Sequence, residues 1–265
     1  MWTLILNLMV ISIANFKGGV GKSTTAQNLA AGMALQGKRI LLIDTDAQAN
    51  LTESFGFNLP EGYEDYLHSA YLGIRDAKPK PLAPLRISDK LHLVPSSLDL
   101  ANADSEFNGV GQRFWMLKKL LKEVKHKYDH IIIDCPPSMG LLTKNALSAS
   151  DLVLIPTLAE YLPTRGIKLF IDAVGRFIIN EGLNEEIAVL GILITQYNAN
   201  PILSRELEKG IIEQFPDDIL QTRIRRNIAL SEAQAMGKDI FAYDAESNGA
   251  KDYQELTNEI LNLLQ

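Results

Sequence analysis

A chain of 265 residues with 46% hydrophobic and 22% charged residues has the make-up of a globular protein able to bury a large core. Its one cysteine, Cys135, excludes a disulfide framework and a cysteine-held cluster, and suits a reducing cytoplasm. A net charge of −6 excludes a chain-wide basic surface, so any contact with nucleic acid has to come from a local patch.

The stretch Met1–Ile13 is apolar but too short to span a bilayer, and has neither a basic leader nor a cleavage site. Residues 1–8 read as an N-terminal extension, with Met1 or Met9 as the start, and residues 9–265 as a single domain. Val10–Ala14 predicts a strand, Lys17–Thr24 a glycine loop and Thr25–Gln36 a helix. Further strands are expected at Arg39–Ile43, Leu91–Val94, His130–Ile133, Leu152–Ile155 and Ala188–Ile194. Helices are expected at Gln112–Lys127, Leu141–Ser148, Arg165–Asn180, Leu203–Gln214 and Lys251–Leu264, and Ala77–Pro84 reads as a loop. Near-continuous apolar strands alternating with helices imply an α/β fold: one doubly wound, mostly parallel sheet covered on both faces. Ligand chemistry then belongs at the carboxyl ends of the strands.

The glycine loop carries the sharpest signal. Lys17-Gly18-Gly19-Val20-Gly21-Lys22-Ser23-Thr24 stands between a buried strand and a helix, where backbone N–H groups and a helix N-terminus converge on an anion. Lys22 is placed for the terminal phosphates and the Ser23 hydroxyl for Mg²⁺. Phe16 stands where the ordinary phosphate-binding pattern has its first glycine, and Lys17 follows it, so the motif is of the deviant kind. A plain strand-to-helix turn would not set two lysines at the positive end of a helix unless an anion offsets them.

Two further strands end in carboxylates on the same edge. Asp44-Thr45-Asp46 follows Arg39–Ile43, and Asp134-Cys135-Pro136-Pro137-Ser138 follows His130–Ile133. Aspartates after strands are common turn formers, but two beside a lysine-rich phosphate loop point to a magnesium-dependent site. Asp134 fits a water-mediated metal ligand, and Asp46 fits a group that faces the γ-phosphate and positions or deprotonates the attacking water. The metal set is then Ser23, Asp134 through water, and Asp46. Cys135 reads as a buried packing residue.

With these motifs in view, the chain resembles the ParA/Soj-type partition ATPases of the deviant Walker A superfamily, which includes MinD. The match rests on Lys17–Thr24, Leu42–Asn50, His130–Ser150, Asp151–Gly166 and Ile224–Gly237, and is weakest over Phe57–Pro84. The resemblance implies an ATP hydrolase, slow alone and stimulated by DNA and a ParB-like or cargo-adaptor protein. It implies an ATP-sandwich homodimer in which Lys17 reaches the partner's phosphates, Gly19 lies at the seam and Asp46 supports hydrolysis. It places Pro136, Pro137 and Ser138 in a switch that senses the γ-phosphate, and Asn227 at the nucleotide. It also implies non-specific DNA binding and a cytoplasmic, nucleoid-associated location; the same motifs serve cargoes from plasmid or chromosome to a protein assembly such as a carboxysome.

Within the superfamily, one cysteine rules out the iron-protein role. The MinD-like alternative needs a basic amphipathic tail for anionic lipid, whereas Lys251–Gln265 is acidic on balance and reads as packing on the sheet, which predicts no membrane partner. For DNA the candidates are Arg205, Arg223, Arg225 and Arg226, because two arginines used by close relatives align with Asn200 and Ala229. The lysine series Lys118, Lys119, Lys122, Lys125 and Lys127 reads as a solvated helix face. With no helix-turn-helix ahead of the glycine loop, sequence-specific operator binding is not expected.

Overall fold

The computed structural model describes residues 8–57, 63–158, 163–198 and 202–265, the side chains of 163, 164 and 202–207 excepted. Eight strands form one sheet: β1 (Met9–Ile13), β2 (Ile40–Asp44), β3 (Leu85–Arg86), β4 (Leu91–Val94), β5 (His130–Asp134), β6 (Leu152–Leu158), β7 (Ala188–Tyr197) and β8 (Ile219–Arg225). Their spatial order is β3-β4-β2-β5-β1-β6-β7-β8, and every pairing is parallel except β3 with β4. The doubly wound sheet read from the sequence is therefore present, with β1, the glycine-loop strand, between β5 and β6.

Alternate residues of the central strands feed two separate cores. Leu41, Ile43, Ile131 and Ile133 face α3 (Leu67–Arg75), α5 (Met116–Val124), α6 (Leu141–Ala149) and α7 (Pro163–Val174). Ile40, Leu42, Ile132 and Leu154 face α1 (Lys22–Leu35), α9 (Ile228–Ala235), α10 (Ile240–Tyr243) and α11 (Asn248–Leu263). Each fully buried Leu or Ile here contributes on the order of 2 kcal/mol, and the loss is felt on either side of the sheet.

Several elements depart from the sequence expectation, each for a local reason. β8 alternates apolar and polar residues, with Leu220, Thr222 and Ile224 buried between exposed or half-buried neighbours, so it lacks the continuous apolar run of an interior strand. The helix expected at Gln112–Lys127 shortens to α5, flanked by 3₁₀ turns at Arg113–Trp115 and Lys125–Lys127. The helix expected to run to Asn180 ends as α7 at Val174 and passes into a π turn over Gly175–Ile179. Four helices other than α9 were not anticipated: α2 (Asn50–Glu53), α3, α4 (Ala103–Glu106) and α10, three of them a single turn. In α3 the signal existed, with buried Leu67, Ala70 and Tyr71 at helical spacing, but over only nine residues.

α11 starts three residues early because Ser247 caps it, its side chain accepting from the Ala250 N–H at 3.1 Å. Its apolar face, Tyr253, Leu256 and Ile260, is buried against β8 and α1, as the sequence led one to expect. Gly32 allows this close approach, since a Cβ there would collide with Thr257. Among the described residues no helix is long and apolar enough to cross a membrane.

Candidate active site

The glycine loop runs directly from β1 into α1. Gly19 and Gly21 sit at φ 71° and 81°, left-handed values that side chains disfavour. Gly21 is also the N-cap of α1, so no side chain caps the helix and no acidic residue stands in its first turn. The first N–H groups of α1 are thus left for a ligand. A Cβ added at Gly18 or Gly19 would meet nothing within 4 Å, so the space in front of the loop is open.

The loop is held from behind. Thr195 Oγ1 donates to the Val20 carbonyl at 2.8 Å, and Gln196 Nε2 to the Gly19 carbonyl at 2.8 Å. Both residues lie at the end of β7, nearly two hundred residues away, and nothing in the sequence marks them. Asn15 joins the two sides, donating to the Pro156 carbonyl at 2.8 Å and accepting from the Lys17 N–H at 3.1 Å.

Lys22 is buried, and its Nζ donates to the Lys17 carbonyl at 3.2 Å. Burial draws its pKa below the usual lysine value, against an opposing pull from Asp134 and Asp46. Lys17 is exposed at the mouth of the loop.

Asp44 and Asp134 lie side by side at the ends of β2 and β5, and their surroundings differ sharply. Asp44 accepts from the Thr52 N–H at 2.9 Å, the Thr52 hydroxyl at 2.8 Å and the Asp46 N–H at 3.0 Å. Desolvation nevertheless pushes its pKa up to about 7. Asp134 is equally buried, but neither of its carboxyl oxygens has a hydrogen-bond partner. Burial and the adjacent Asp44 hold its pKa well above the carboxylate range, with Ser23 and Lys22 pulling the other way. A buried carboxylate without a partner costs several kcal/mol and calls for a cation.

Asp46 is half-buried on the loop that Asp44 anchors. Its Oδ1 accepts from the Gln48 N–H at 3.0 Å and its carbonyl from the Ser96 hydroxyl at 2.6 Å. Cys135 is buried and its thiol pKa is pushed up to about 12, which makes it a packing residue.

A cleft of about 720 Å³ is lined by Gly18, Gly19, Lys22, Ser23, Asp46 and Pro137, with Asp44, Asp134 and Cys135 buried outside its lining. Pro137 and Ser138 are exposed at its rim and Pro136 is buried beneath. A second pocket of about 340 Å³ adjoins it, sharing Gly21, Thr24, Gln196 and Gln234, and is closed by Asn227, Leu230 and Tyr253. Asn227 caps α9, its Oδ1 accepting from the Ala229 N–H at 2.9 Å. Behind the cleft, Gln27 of α1 ties two turns together: its Nε2 donates to the Ser54 carbonyl at 2.8 Å and to the Lys238 carbonyl at 3.2 Å. Gly56 and Gly237, both left-handed, pack backbone to backbone beside it. A polar cleft over a helix N-terminus, continuous with a partly apolar pocket, fits phosphates joined to a heterocycle.

Among the described residues no three His, Cys, Asp or Glu side chains cluster to hold a metal by themselves. The unpartnered Asp134 oxygens beside Ser23 still fit Mg²⁺, which commonly takes one or two protein ligands and completes its shell from phosphates and water.

The arginines proposed for DNA are not brought together as free cations. Arg223 Nε donates to Glu208 at 2.7 Å, and Arg225 Nε to Asp252 at 2.9 Å. Arg226 is exposed at the rim of the second pocket. The side chain of Arg205 and all of Asn200 lie outside the described residues.

A family model described as an AAA domain matches residues 8–189. The sporulation initiation inhibitor protein Soj of Bacillus subtilis is 38% identical over 251 residues, covering 95% of this chain and 97% of that one. The chromosome-partitioning ATPase Soj of Treponema pallidum is 40% identical over 249 residues, 93% of this chain and 94% of that one. Among solved structures, a Mycobacterium smegmatis protein described as cobyrinic acid a,c-diamide synthase, with bound ATP analogue and magnesium, superposes with a TM-score of 0.81. It is 30% identical over 97% of this chain and 95% of that one.

Proposed function

The chain belongs to the ParA/Soj family of chromosome-partitioning ATPases and uses ATP and Mg²⁺, and from that premise we propose how its residues divide the work. The backbone from Lys17 to Thr24 and the Lys22 ammonium hold the phosphates, and Asn227 lies at the base. The Ser23 hydroxyl and, through water, Asp134 would hold Mg²⁺, with Asp46 nearby. Mg²⁺ held by these residues would supply charge neutralisation on the phosphates. Asp46 orients the attacking water and accepts its proton as the water oxygen bonds to the γ-phosphorus and the bond to the bridging oxygen breaks, leaving ADP and phosphate. The observation that carries this reading is the pair of buried, unpartnered Asp134 oxygens beside an uncapped helix N-terminus.

Asp46→Ala tests it. The variant should retain ATP binding, because Lys22 and the loop are untouched, and lose at least about a hundredfold in turnover. Hydrolysis at the wild-type rate would refute the role of that carboxylate.

The working state we propose is an ATP-sandwich homodimer, completed by Lys17 of one protomer at the phosphates of the other, with Gly19 at the seam and Pro136, Pro137 and Ser138 as the switch. Its support is the open space before Gly18 and Gly19 and the exposed Lys17 at the loop mouth. In that state the protein binds duplex DNA without sequence preference, sits on the nucleoid, and is stimulated by a ParB-like or cargo-adaptor protein to segregate a chromosome or plasmid. Among the described side chains considered for DNA, Arg226 is exposed and pairs with no carboxylate, whereas Arg223 and Arg225 would have to exchange Glu208 and Asp252 for phosphates. Sedimentation with a non-hydrolysable ATP analogue should convert monomer to dimer, and a monomer in every nucleotide state would refute the shared site.

A further inference from the structure

The edge of the sheet opposite the nucleotide cleft is polarised in charge. In sheet order, the residues that lead into β4, β2 and β5 include Lys90, Lys38 and Lys127, whereas those that lead into β6, β7 and β8 include Asp151, Glu186 and Asp217. Basic residues are thus more numerous at one end of this edge, with Asp89 and Asp129 among them, and the lysines of α5 lie toward its middle, beside the starts of β1 and β6. The apolar side of α5, Met116, Leu117, Leu120, Leu121 and Val124, is spent entirely on the core.

Its other side, with the following 3₁₀ turn, exposes Lys118, Lys119, Lys122, Lys125 and Lys127. None of these five is ion-paired or hydrogen-bonded through its side chain among the described residues, unlike Arg223 and Arg225. The acidic residues nearby are Glu123 on the same helix, Glu186 and Asp151 across a groove, and Asp129; Asp151 accepts from the Val10 N–H at 2.8 Å and Asp129 is committed to Arg39 at 2.7 Å. Two grooves flank the row. One, of about 440 Å³, has Lys118, Lys122 and Lys125 on its rim; the other, of about 290 Å³, is formed by Gln112, Trp115, Lys118, Lys119 and Lys122. Trp115 is fixed as the floor of the second by its indole N–H, which donates to the Leu183 carbonyl at 3.1 Å.

We infer that this lysine face of α5 is a phosphate-backbone contact for duplex DNA, separate from the arginines of β8. The inference rests on the DNA binding proposed above and supplies residues for it. Lysines one helical turn apart stand roughly 5–6 Å from one another, a spacing that lets each meet a different phosphate along a strand. Such contacts carry no sequence information, which suits a non-specific binder. A membrane surface fits less well, because α5 has no apolar side chain left to insert. The site also lies on the edge away from the nucleotide cleft, so it can hold DNA while the cleft turns over.

The test uses the full chain with ATP analogue and Mg²⁺, titrated with a random-sequence duplex over a salt series. Wild type should bind. Lys118→Ala with Lys122→Ala should lower the slope of log affinity against log salt by about 2, since each phosphate contact contributes about 0.9. Lys118→Glu with Lys122→Glu should weaken binding about tenfold or more and leave basal ATP turnover unchanged. Wild type that binds duplex, with both double variants matching it in affinity and slope, overturns the inference and leaves the proposed function standing. Wild type that fails to bind duplex at low salt overturns both. Wild type that binds phosphatidylglycerol vesicles through these lysines, and not duplex, assigns the face to lipid and overturns it as well.

Discussion

The ends of β2 and β5 carry two aspartates in register, Asp44 and Asp134, both fully buried, and they have opposite hydrogen-bonding fates. Asp44 is satisfied three times over by Thr52 and Asp46, whereas among the described residues no well-formed hydrogen bond reaches either carboxyl oxygen of Asp134, which feels only the pull of Ser23 and Lys22. The same residue type at the same depth therefore does two jobs. Asp44 is scaffold: it ties α2 and the Asp46 loop to the sheet. The Asp134 carboxylate carries a cost that a proton or an arriving cation relieves, which is why we propose the β5 end for the ligand and the β2 end for shape.

The largest effect that would break this contrast lies just in front of Asp134. Lys22→Ala removes the buried ammonium that interacts with Asp134 and that we propose for the phosphates. Nucleotide affinity should fall at least about a hundredfold, roughly 3 kcal/mol, measured by titration calorimetry with ATP and Mg²⁺. Retained affinity would mean that the loop backbone alone holds the phosphates.

Asp44→Ala strips the anchor from Thr52 and the Asp46 N–H. Stability should drop by about 2–3 kcal/mol in denaturant unfolding, and turnover should fall with it as the Asp46 loop loosens. A change in turnover with stability intact would move Asp44 from scaffold to chemistry.

The two aspartates also set a pH dependence. Because the Asp44 pKa is raised to about 7 in the fold, its contribution to stability is full below its unfolded value and is lost as pH rises through about 7. The nucleotide-free protein should therefore lose stability from about pH 4 to 7, with Asp134, also raised, acting in the same direction. Melting temperature against pH should flatten in Asp44→Asn; an unchanged profile would show that Asp44 does not titrate there.

The smallest effect is expected behind the loop. Thr195→Val leaves the Val20 carbonyl without its hydroxyl donor and should cost about 1 kcal/mol, read as a lower melting temperature with ATP affinity reduced severalfold.

How much of this was legible in the sequence follows from distance along the chain. The interior strands could be read because burial on both faces leaves a continuous apolar run, whereas the edge strand β8 could not, since half its residues stay polar. The glycine loop, Asp46 and Asp134 are local patterns beside their own strands and could be named in advance. Thr195, Gln196, Gln27 and the Gly56–Gly237 contact are partners supplied by remote turns of the chain, and no spacing announces them. The same limit explains the arginines. Arg223, Arg225 and Arg226 read as one basic cluster, but Glu208 and Asp252 reach two of them only once the chain has folded. The lysines of α5 read as ordinary solvated charge, and the two grooves that flank them appear only in the folded chain.

The contrast between the two aspartates is tested most directly by Asp134→Asn in thermal unfolding, with and without ATP and Mg²⁺. The account predicts a higher melting temperature than wild type in the nucleotide-free protein at alkaline pH, because the amide cannot take on the buried charge that desolvation and Asp44 oppose. It also predicts loss of most of the stabilisation that Mg²⁺ with ATP gives the wild type. A lower melting temperature without nucleotide, together with an undiminished ligand-induced rise, would contradict it.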